Sequence, residues 1–362
     1  MSQAVSSIDL SASPANPDAL KRRYAAMRAE NPRLRVRDAA GALGVSEADL
    51  VAVRIGDGVR RLGTRWKALI EGMPAVGDVM ILTRNEACVH EKVGTFGDIR
   101  VSETGGVTLA RDVDLRLFFT KWAHAFVVEE ELASGLRKSL QIFAKDGEAI
   151  HKIYLREESD DAAFEALIGA HLADDQEPGL LTLEPRAPKA AERPDSEIDR
   201  EALLTRWGAI KDVHQFFGML KDLEAGRTQA FRLAEGEYTV KVPVHAFRAA
   251  LEKARDKALP IMIFVGNQGL IQIHTGPVEN LKEMGPWMNV LDERFNLHLR
   301  EDLIADAWIV RKPTDDGTVT SLEIFGADGE VIAMMFGERK PGQPELEGWR
   351  EIVSELEKLE AH

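Results

Sequence analysis

Cysteine, positive charge and long apolar runs are all scarce in this chain. Cys88 is the one cysteine among 362 residues, which excludes an intramolecular disulfide, a cysteine-based zinc site and a cysteine-held iron–sulfur cluster. No apolar run reaches the roughly 18 residues of a membrane-spanning helix. The 46 basic residues are outnumbered by 60 acidic ones, for a net charge of −14. Nucleic acid and anionic membranes are therefore disfavoured as partners, although a local basic pocket is compatible with this charge.

Several catalytic and nucleotide-binding signatures are also missing. The chain has no G-x-x-x-x-G-K-[ST] loop, no strand–G-x-G-x-x-G–helix unit and no G-x-S-x-G elbow. His90 and Glu91 begin like a zinc-protease motif, but Gly94 stands where the second histidine is needed. The absence of C-x-x-C-H excludes the usual covalent attachment of heme. Nothing in the sequence therefore indicates a bound nucleotide or flavin.

The N-terminal segment has neither the basic start nor the apolar stretch of a secretory signal. Residues 1–19 are rich in serine, alanine and proline, and we expect a flexible tail there. Together with the scarcity of cysteine, this favours a cytoplasmic location.

The two halves of the chain repeat one another. Residues 140–154 and 322–336 share seven of fifteen positions at an offset of 182, and the same offset aligns Asn85 with Asn267 without a gap. Between the halves, residues 173–200 carry four prolines and many charges, which is typical of an extended linker. A tandem duplication follows, with a first repeat over residues 20–172 and a second over residues 201–362.

Within each repeat, helical periodicity comes first and strand patterns follow. Residues 18–31 and 197–223 have apolar residues at three- and four-residue spacing, which predicts amphipathic helices. Alternating and β-branched runs then predict strands, and the AKDG and GADG segments predict hairpin turns. Each repeat ends in a further helical pattern. The predicted class is α+β, with a large, mostly antiparallel sheet and flanking helices in each half.

Two segments hold candidate site residues. His214 stands in DVHQFFGMLKD, beside Phe217 and Gly218, where a neutral imidazole could face a flat apolar ligand or could simply be satisfied by a neighbour. Arg116 stands in DVDLRLFFTKW, where alternation places it on one strand face with Asp114 and Phe118. Its guanidinium is either a surface cation over an aromatic ring or a donor aimed into a pocket.

Longer motifs resemble the HemS/ChuS/HmuS family, the cytosolic heme-handling, hemin-degrading proteins of bacterial heme uptake. The matching segments are RNEACVHEKVGTF, DVDLRLFFTKWA, DVHQFFGMLK, IMIFVGNQGLIQIHTGPVE, RKPTDDGTVTSLEIF and GERKPGQPE. They occur in family order over most of residues 20–350, and family members also have duplicated halves. The resemblance implies heme as ligand and a pocket between the repeats.

The resemblance also implies roles for single residues. His214 matches the proximal ligand of the heme iron, and Arg116 matches the distal arginine on the opposite side. The remaining candidate heme contacts are Phe118, Phe217, Arg227, Lys312, Phe336 and Arg339; of these, Arg227, Lys312 and Arg339 match cations near the heme propionates. Phe336 departs from a tyrosine found in several relatives, which puts one propionate or water contact in doubt. His274 and His298 are the nearest candidates for a competing ligand or are ordinary strand histidines, and the first half has no clear histidine for a second heme.

Two functions fit these residues. The protein either opens the porphyrin ring oxidatively, with Arg116 as the catalytic donor, or carries heme to a separate heme oxygenase. A heme-responsive regulator is a third class, which the net charge of −14 disfavours. Ring opening needs electrons from an outside donor, since no flavin or nicotinamide motif is present. An inner-membrane heme transporter is a further partner expected from the resemblance.

Overall fold

The computed structural model describes residues 16–32, 34–133, 135–189, 191–339 and 342–360. Within these ranges the protein has ten α-helices and eighteen β-strands. The strands form two nine-stranded sheets, in which every pairing is antiparallel. The predicted α+β class is therefore confirmed. No helix in the described ranges has the length and apolar character needed to cross a membrane.

The helices frame the sheets at the start and end of each half. They are α1 Pro17–Glu30, α2 Val36–Leu43, α3 Glu47–Ala52, α4 Trp66–Gly72, α5 Asp161–His171, α6 Arg200–Gly208, α7 Gln215–Asp222, α8 Arg227–Leu233, α9 Ala246–Asp256 and α10 Glu347–Leu356. Short 3-10 turns occupy Met73–Val76, Phe119–Lys121, Asp195–Glu197 and Glu301–Leu303.

The strands divide equally between the halves. Those of the first half are β1 Val59–Leu62, β2 Gly77–Arg84, β3 Cys88–Thr95, β4 Ile99–Val101, β5 Gly106–Leu109, β6 Asp114–Leu117, β7 Trp122–Leu132, β8 Gly135–Ala144 and β9 Ala149–Ser159. Those of the second half are β10 Thr239–Val242, β11 Ile261–Gly266, β12 Leu270–Gly276, β13 Leu281–Met284, β14 Trp287–Asp292, β15 Phe295–Arg300, β16 Asp306–Lys312, β17 Val319–Phe325 and β18 Val331–Gly337.

Each half gives three strands to the sheet of the other half. Sheet 1 has the order β1-β7-β8-β9-β2-β3-β15-β14-β13, and sheet 2 has the order β10-β16-β17-β18-β11-β12-β6-β5-β4. The exchanged strands β4–β6 and β13–β15 occupy equivalent positions, since β6 pairs with β12 and β15 pairs with β3. This exchange moves Arg116, a first-half residue, into the sheet of the second half.

Two asparagines join the halves in the same way from opposite sides. Asn85 donates its side-chain N–H groups to the carbonyls of Gly266 and Ile332, at 3.1 and 2.8 Å. Asn267 donates to Arg84 and Ile150, also at 3.1 and 2.8 Å. Donors and acceptors are both related by the offset of 182. The duplication predicted from sequence is confirmed, and the two repeats meet about an approximate two-fold axis.

Sheet 2 has two different faces. On one face Ile261, Ile263 and Val265 are fully buried in the core that includes α9 and α10. On the other face, helices α6–α8 cover only the strands at one end, where Phe231 contacts Trp308 at 6.1 Å between ring centroids. The rest of that second face, over β18, β11, β12 and β6, is the surface on which the candidate site is built.

The structure corrects one predicted helix. Residues 197–223 form two helices, α6 and α7, instead of one. Local side chains satisfy the backbone between them, because Gln215 accepts from the Lys211 amide at 2.9 Å and Asp212 accepts from the His214 amide at 2.7 Å. Such side-chain caps compete with continuous helix.

The described residues include only part of the predicted N-terminal tail and most of the predicted linker. Of the predicted tail, residues 1–15 lie outside the described residues, whereas α1 already begins at Pro17, after the Asn16 cap. Within the predicted linker, residues 173–189 and 191–194 contain no helix or strand, but Leu181 and Lys189 bond to Asp49 and to the Asp328 carbonyl. The proposed boundaries at residues 172 and 200 stay a prediction.

Candidate functional site

His214 stands at the exposed start of α7. It is the N-cap residue of the helix, and 87% of its side chain is exposed. Its Nδ1 lies 2.5 Å from a carboxylate oxygen of Asp212. The backbone N–H and ring of His214 lower the pKa of that carboxyl, so Asp212 holds Nδ1 as a charged acceptor. Nε2 is thereby left as the ring nitrogen able to bind a ligand.

The helix behind His214 combines a buried anchor with an exposed apolar surface. Phe216 is buried and its ring centroid lies 4.6 Å from that of Trp207. Phe217 is 73% exposed, and a Cβ added at Gly218 would meet no atom within 4 Å. A helix start with one held histidine, one exposed aromatic and open space beside it is suited to receiving a flat apolar molecule.

The open part of sheet 2 faces the same side as α7. Directly paired residues in antiparallel strands point to one face, and the pairs run from Glu323 through Met334, Phe264 and Ile273 to Asp114. These residues span five adjacent strands, or about 19 Å at the usual strand spacing. The apolar part of this surface is formed by Phe264, Ile271, Met334 and Phe336, and we call it the apolar floor.

The apolar floor is closed at its far edge by the exchanged strand β6. Arg116 pairs with Ile271, its side chain is 30% exposed, and it forms an ion pair with Asp114, two residues earlier on the same face. Burial raises the pKa of Asp114, against the opposing effect of Arg116. Phe118 follows directly after β6, is 39% exposed, and donates its amide to the Gly269 carbonyl at 3.0 Å.

The covered edge of the floor contains a buried ion cluster. Glu323 has no exposed surface, and it accepts from Arg227 at 2.8 Å, Lys312 at 3.0 Å and Ser321 at 2.8 Å. Burial would raise the pKa of Glu323, but Arg227 and Lys312 lower it to about 2. The carboxylate is therefore charged. Lys312 is also buried and lies 4.8 Å from the centroid of the Phe216 ring, so this cluster fixes the base of α7.

The predicted site residues thus fall into two groups on one face of sheet 2. Near α7 are His214 and Phe217, with Arg227 and Lys312 beneath the helix, and Arg339 contributes to lowering the pKa of Asp212. On the strands are Arg116, Phe118 and Phe336, whose ring lies 5.0 Å from that of Phe264. The alternative ligands differ: His274 is buried and stacked on Phe295, and His298 belongs to sheet 1.

A cavity of about 780 Å³ begins on the apolar floor. Arg227, Phe264, Ile271 and Met334 line it, and it continues to the junction of the halves at Asn85. His214 and Arg116 are not part of its lining. Asp212 and Glu323 were not found from sequence: the D-x-H spacing could have indicated Asp212, but nothing local indicates that Glu323 is paired with Arg227.

Comparison with known proteins gives consistent matches over both halves. The sequence model of the haemin-degrading HemS.ChuX domain matches residues 44–171 and again residues 224–356. The hemin transport protein HmuS of Yersinia pestis is 41% identical over 341 residues, which cover 93% of this chain and 97% of HmuS.

Solved structures are similar over almost the whole chain. Holo-PhuS, a heme-binding protein from Pseudomonas aeruginosa, is 47% identical with a TM-score of 0.92, covering 96% of this chain and 100% of PhuS. The heme degrading enzyme ChuS of Escherichia coli O157:H7 is 37% identical with a TM-score of 0.87, covering 94% and 99%. The chain belongs to the haemin-degrading HemS family.

Proposed function

We propose that this protein binds heme on the apolar floor, with His214 as the iron ligand, and opens the porphyrin ring to release iron. The observation that carries the proposal is the held imidazole: Asp212 fixes Nδ1 of an exposed histidine at the start of a helix that also exposes Phe217. Heme needs these features, namely an axial nitrogen ligand, an apolar slot and nearby cations. Bound heme supplies the iron and the oxidisable ring.

The surrounding residues have separate tasks. Asp212 orients the His214 ring and leaves Nε2 as the ring nitrogen that can bind. Phe217 and Phe336 would contact the macrocycle, while Phe118 would line its edge beside β6. Arg227, Lys312 and Arg339 give the α7 side a positive potential for the propionates. Arg227 and Lys312 both pair with Glu323, and Arg227 is the more exposed of the two, with 27% of its side chain exposed. Arg227 is therefore better placed to contact a propionate directly.

Arg116 would donate hydrogen bonds on the face of heme opposite His214. A guanidinium stays protonated at any physiological pH, so it is a constant donor to negative charge that develops there. The ion pair with Asp114 restrains this side chain. Oxidative ring opening takes its oxygen atoms from O₂ and its electrons from a donor outside the chain, and an inner-membrane heme transporter is the expected source of heme.

A carrier role is the second candidate, because the relative HmuS is a hemin transport protein. The same ligands serve both roles, and turnover separates them. Heme-loaded protein is given a reductant and catalase, and the absorbance spectrum and released iron are followed. We expect loss of the heme bands with a tetrapyrrole product. Intact heme that passes to a separate heme oxygenase would instead establish the carrier role.

The ligand is tested by His214→Ala. We expect weak heme binding or a shifted Soret band, since the imidazole that Asp212 holds would be lost. His245→Ala is the matched control, because His245 is also a helix N-cap residue, at α9, and it should bind heme as the wild type does. An unchanged spectrum and affinity in His214→Ala would remove His214 from the site.

A further inference from the structure

Sheet 1 has a cavity at the position equivalent to the candidate heme site. It measures about 640 Å³ and is lined by residues of α1, α2, β2, β9 and the exchanged strand β14. The offset of 182 relates Arg116 to His298 and Phe336 to Tyr154, and both equivalents line this cavity. Tyr154 also pairs with Met80 as Phe336 pairs with Met262. The two cavities are thus related by the approximate two-fold axis.

The floors of the two cavities have diverged in chemistry. Lys152 occupies the position of Met334, and the two residues pair with equivalent positions of β2 and β11. Arg84 occupies the position of Gly266, so a long cation projects where the second half has no side chain. The helical segment that brings His214 to its site aligns at an offset of 183 and has Asn31 instead. The first-half cavity therefore lacks the apolar floor and the equivalent axial histidine.

Positive charge accumulates in this cavity although the whole chain is acidic. Six lining residues are cationic and two, Glu47 and Glu91, are acidic. Lys152 is paired with Glu47 at 3.0 Å, and two of the arginines pair with carboxylates outside the lining. Among the described residues, no carboxylate lies within ion-pair distance of the remaining three, which are Arg28, Arg35 and Arg84.

The unmatched arginines are held in place by other contacts. Arg84 donates its Nε to the Asn85 carbonyl at 3.3 Å, and Arg35 lies 5.2 Å from the ring centroid of Trp287. Burial, together with repulsion from Arg37, lowers the pKa of Arg84, against the opposing attraction of Glu47. Six cations that share a partly closed cavity with two carboxylates are costly to hold there unless a further anion joins them, and Arg is the preferred residue for planar, bidentate recognition of oxyanions.

We propose that the first-half cavity binds a small molecule that carries two phosphate groups. Each phosphate monoester brings about 1.5–2 negative charges and three acceptor oxygens, so two of them match three unpaired guanidiniums. A carboxylate supplies one charge and two oxygens. The cavity volume is within the range of about 300–1,000 Å³ usual for small-molecule sites. The duplication would then have produced two sites with different ligands, one apolar and one polar.

The test is calorimetric titration of the full chain with inorganic diphosphate, ADP and citrate. We expect saturable binding of diphosphate and weaker binding of citrate. Tighter binding of ADP than of diphosphate would identify a nucleotide as the source of the phosphates, and equal binding would identify the inorganic anion. Citrate binding as tightly as diphosphate would overturn the phosphate assignment.

Two variants locate the site. Arg84→Gln and Arg35→Gln should each weaken diphosphate binding about tenfold or more, as expected for the loss of one charge-assisted contact. Arg100→Gln is the control, because it removes an exposed arginine paired with Asp98 outside the cavity, and binding should not change. Circular dichroism checks that each variant is folded, and either variant suffices.

Heme distinguishes the two cavities. Diphosphate should bind equally well to heme-loaded protein and should leave its Soret band unchanged. The proposal fails if diphosphate does not bind at millimolar concentration, if both cavity variants bind it as the wild type does, or if it displaces heme. It also fails if a second heme binds per chain and is lost in Arg84→Gln, because the cavity would then hold a porphyrin.

Discussion

Stability should fall steeply as the pH is lowered, because of three buried histidines near the two-fold axis. His90, His151 and His274 are 0%, 1% and 4% exposed. Burial lowers the pKa of His151 and of His274 to about 3, and it also lowers the pKa of His90. Lys92, whose Nζ lies 3.4 Å from Nδ1 of His274, adds repulsion of the charged ring.

Hydrogen bonds link these rings across the halves, and one of them favours the neutral form of His90. Thr83 donates to Gln272 at 2.8 Å, so its hydroxyl oxygen accepts from Nδ1 of His151 at 3.0 Å. Gln272 in turn donates to Nδ1 of His90 at 2.8 Å, which requires that nitrogen to be unprotonated. The chain of bonds crosses from one half to the other, so protonating a ring disturbs the junction of the halves.

The magnitude follows from the difference in pKa between the unfolded and folded states. An unfolded histidine has a pKa near 6.5, so below that value the unfolded state binds more protons and stability declines as the pH falls. Between about pH 7.5 and pH 5, a histidine with a folded pKa of about 3 loses about 2 kcal/mol. His151 and His274 together lose about 4 kcal/mol, a large part of the usual 5–15 kcal/mol of domain stability. The decline should continue to about pH 3.

The assay is urea unfolding at both pH values, followed by the fluorescence of the six tryptophans. Carboxylates also titrate in this range, so the double variant His151→Asn/His274→Asn isolates the histidine contribution. Its free energy of unfolding should change by about 4 kcal/mol less than that of the wild type between the two pH values. His214→Asn, whose side chain is 87% exposed, is the control and should keep the full pH dependence. The same pH dependence in the wild type and the double variant would refute the reasoning.

Two substitutions separate the chemistry of the site from its support. Arg116→Ala should bind heme nearly as the wild type does but degrade it about 10²–10³-fold more slowly, because it loses a charge-assisted donor. The turnover rate of heme-loaded protein measures this effect. A wild-type rate in the variant would exclude the donor role of Arg116. Glu323→Gln should lower the free energy of unfolding, measured in urea, by about 3–5 kcal/mol, because Lys312 stays buried without its carboxylate. Glu330→Gln is the control, since Glu330 forms an exposed ion pair with Lys189, and it should change this free energy by less than about 1 kcal/mol.

The duplication could be recognised from sequence because it depends only on equivalent residues. Asn85 and Asn267 align at the constant offset, and both make the same pair of hydrogen bonds across the junction. Alternation likewise placed Asp114 and Arg116 on one strand face, as observed. A repeat offset and the alternation along a strand can both be recognised in one sequence, because neither depends on which strands pair in the folded chain.

The exchange of strands could not be recognised in the same way. An offset identifies equivalent strands but not which half each strand pairs with, and β6 has equivalent edges available at β3 and β12. The pairing of Arg116 with Ile271 therefore follows from tertiary packing. The contact of Glu323 with Arg227 joins residues 96 positions apart, and the break between α6 and α7 depends on side-chain caps that compete closely with continued helix.

The exchanged strands lead to a prediction about the separated second half. Expressed alone, residues 191–362 would lack β6 as the partner of β12 and β3 as the partner of β15. A second copy supplies both, since β15 of one copy can pair with β12 of the other. Asn267 could then donate to Gly266 and Ile332 of the other copy, as Asn85 does in the intact chain. We expect a homodimer by light scattering, weakened in Asn267→Ala. A folded monomer, with β15 returned to its own β12, would contradict the prediction.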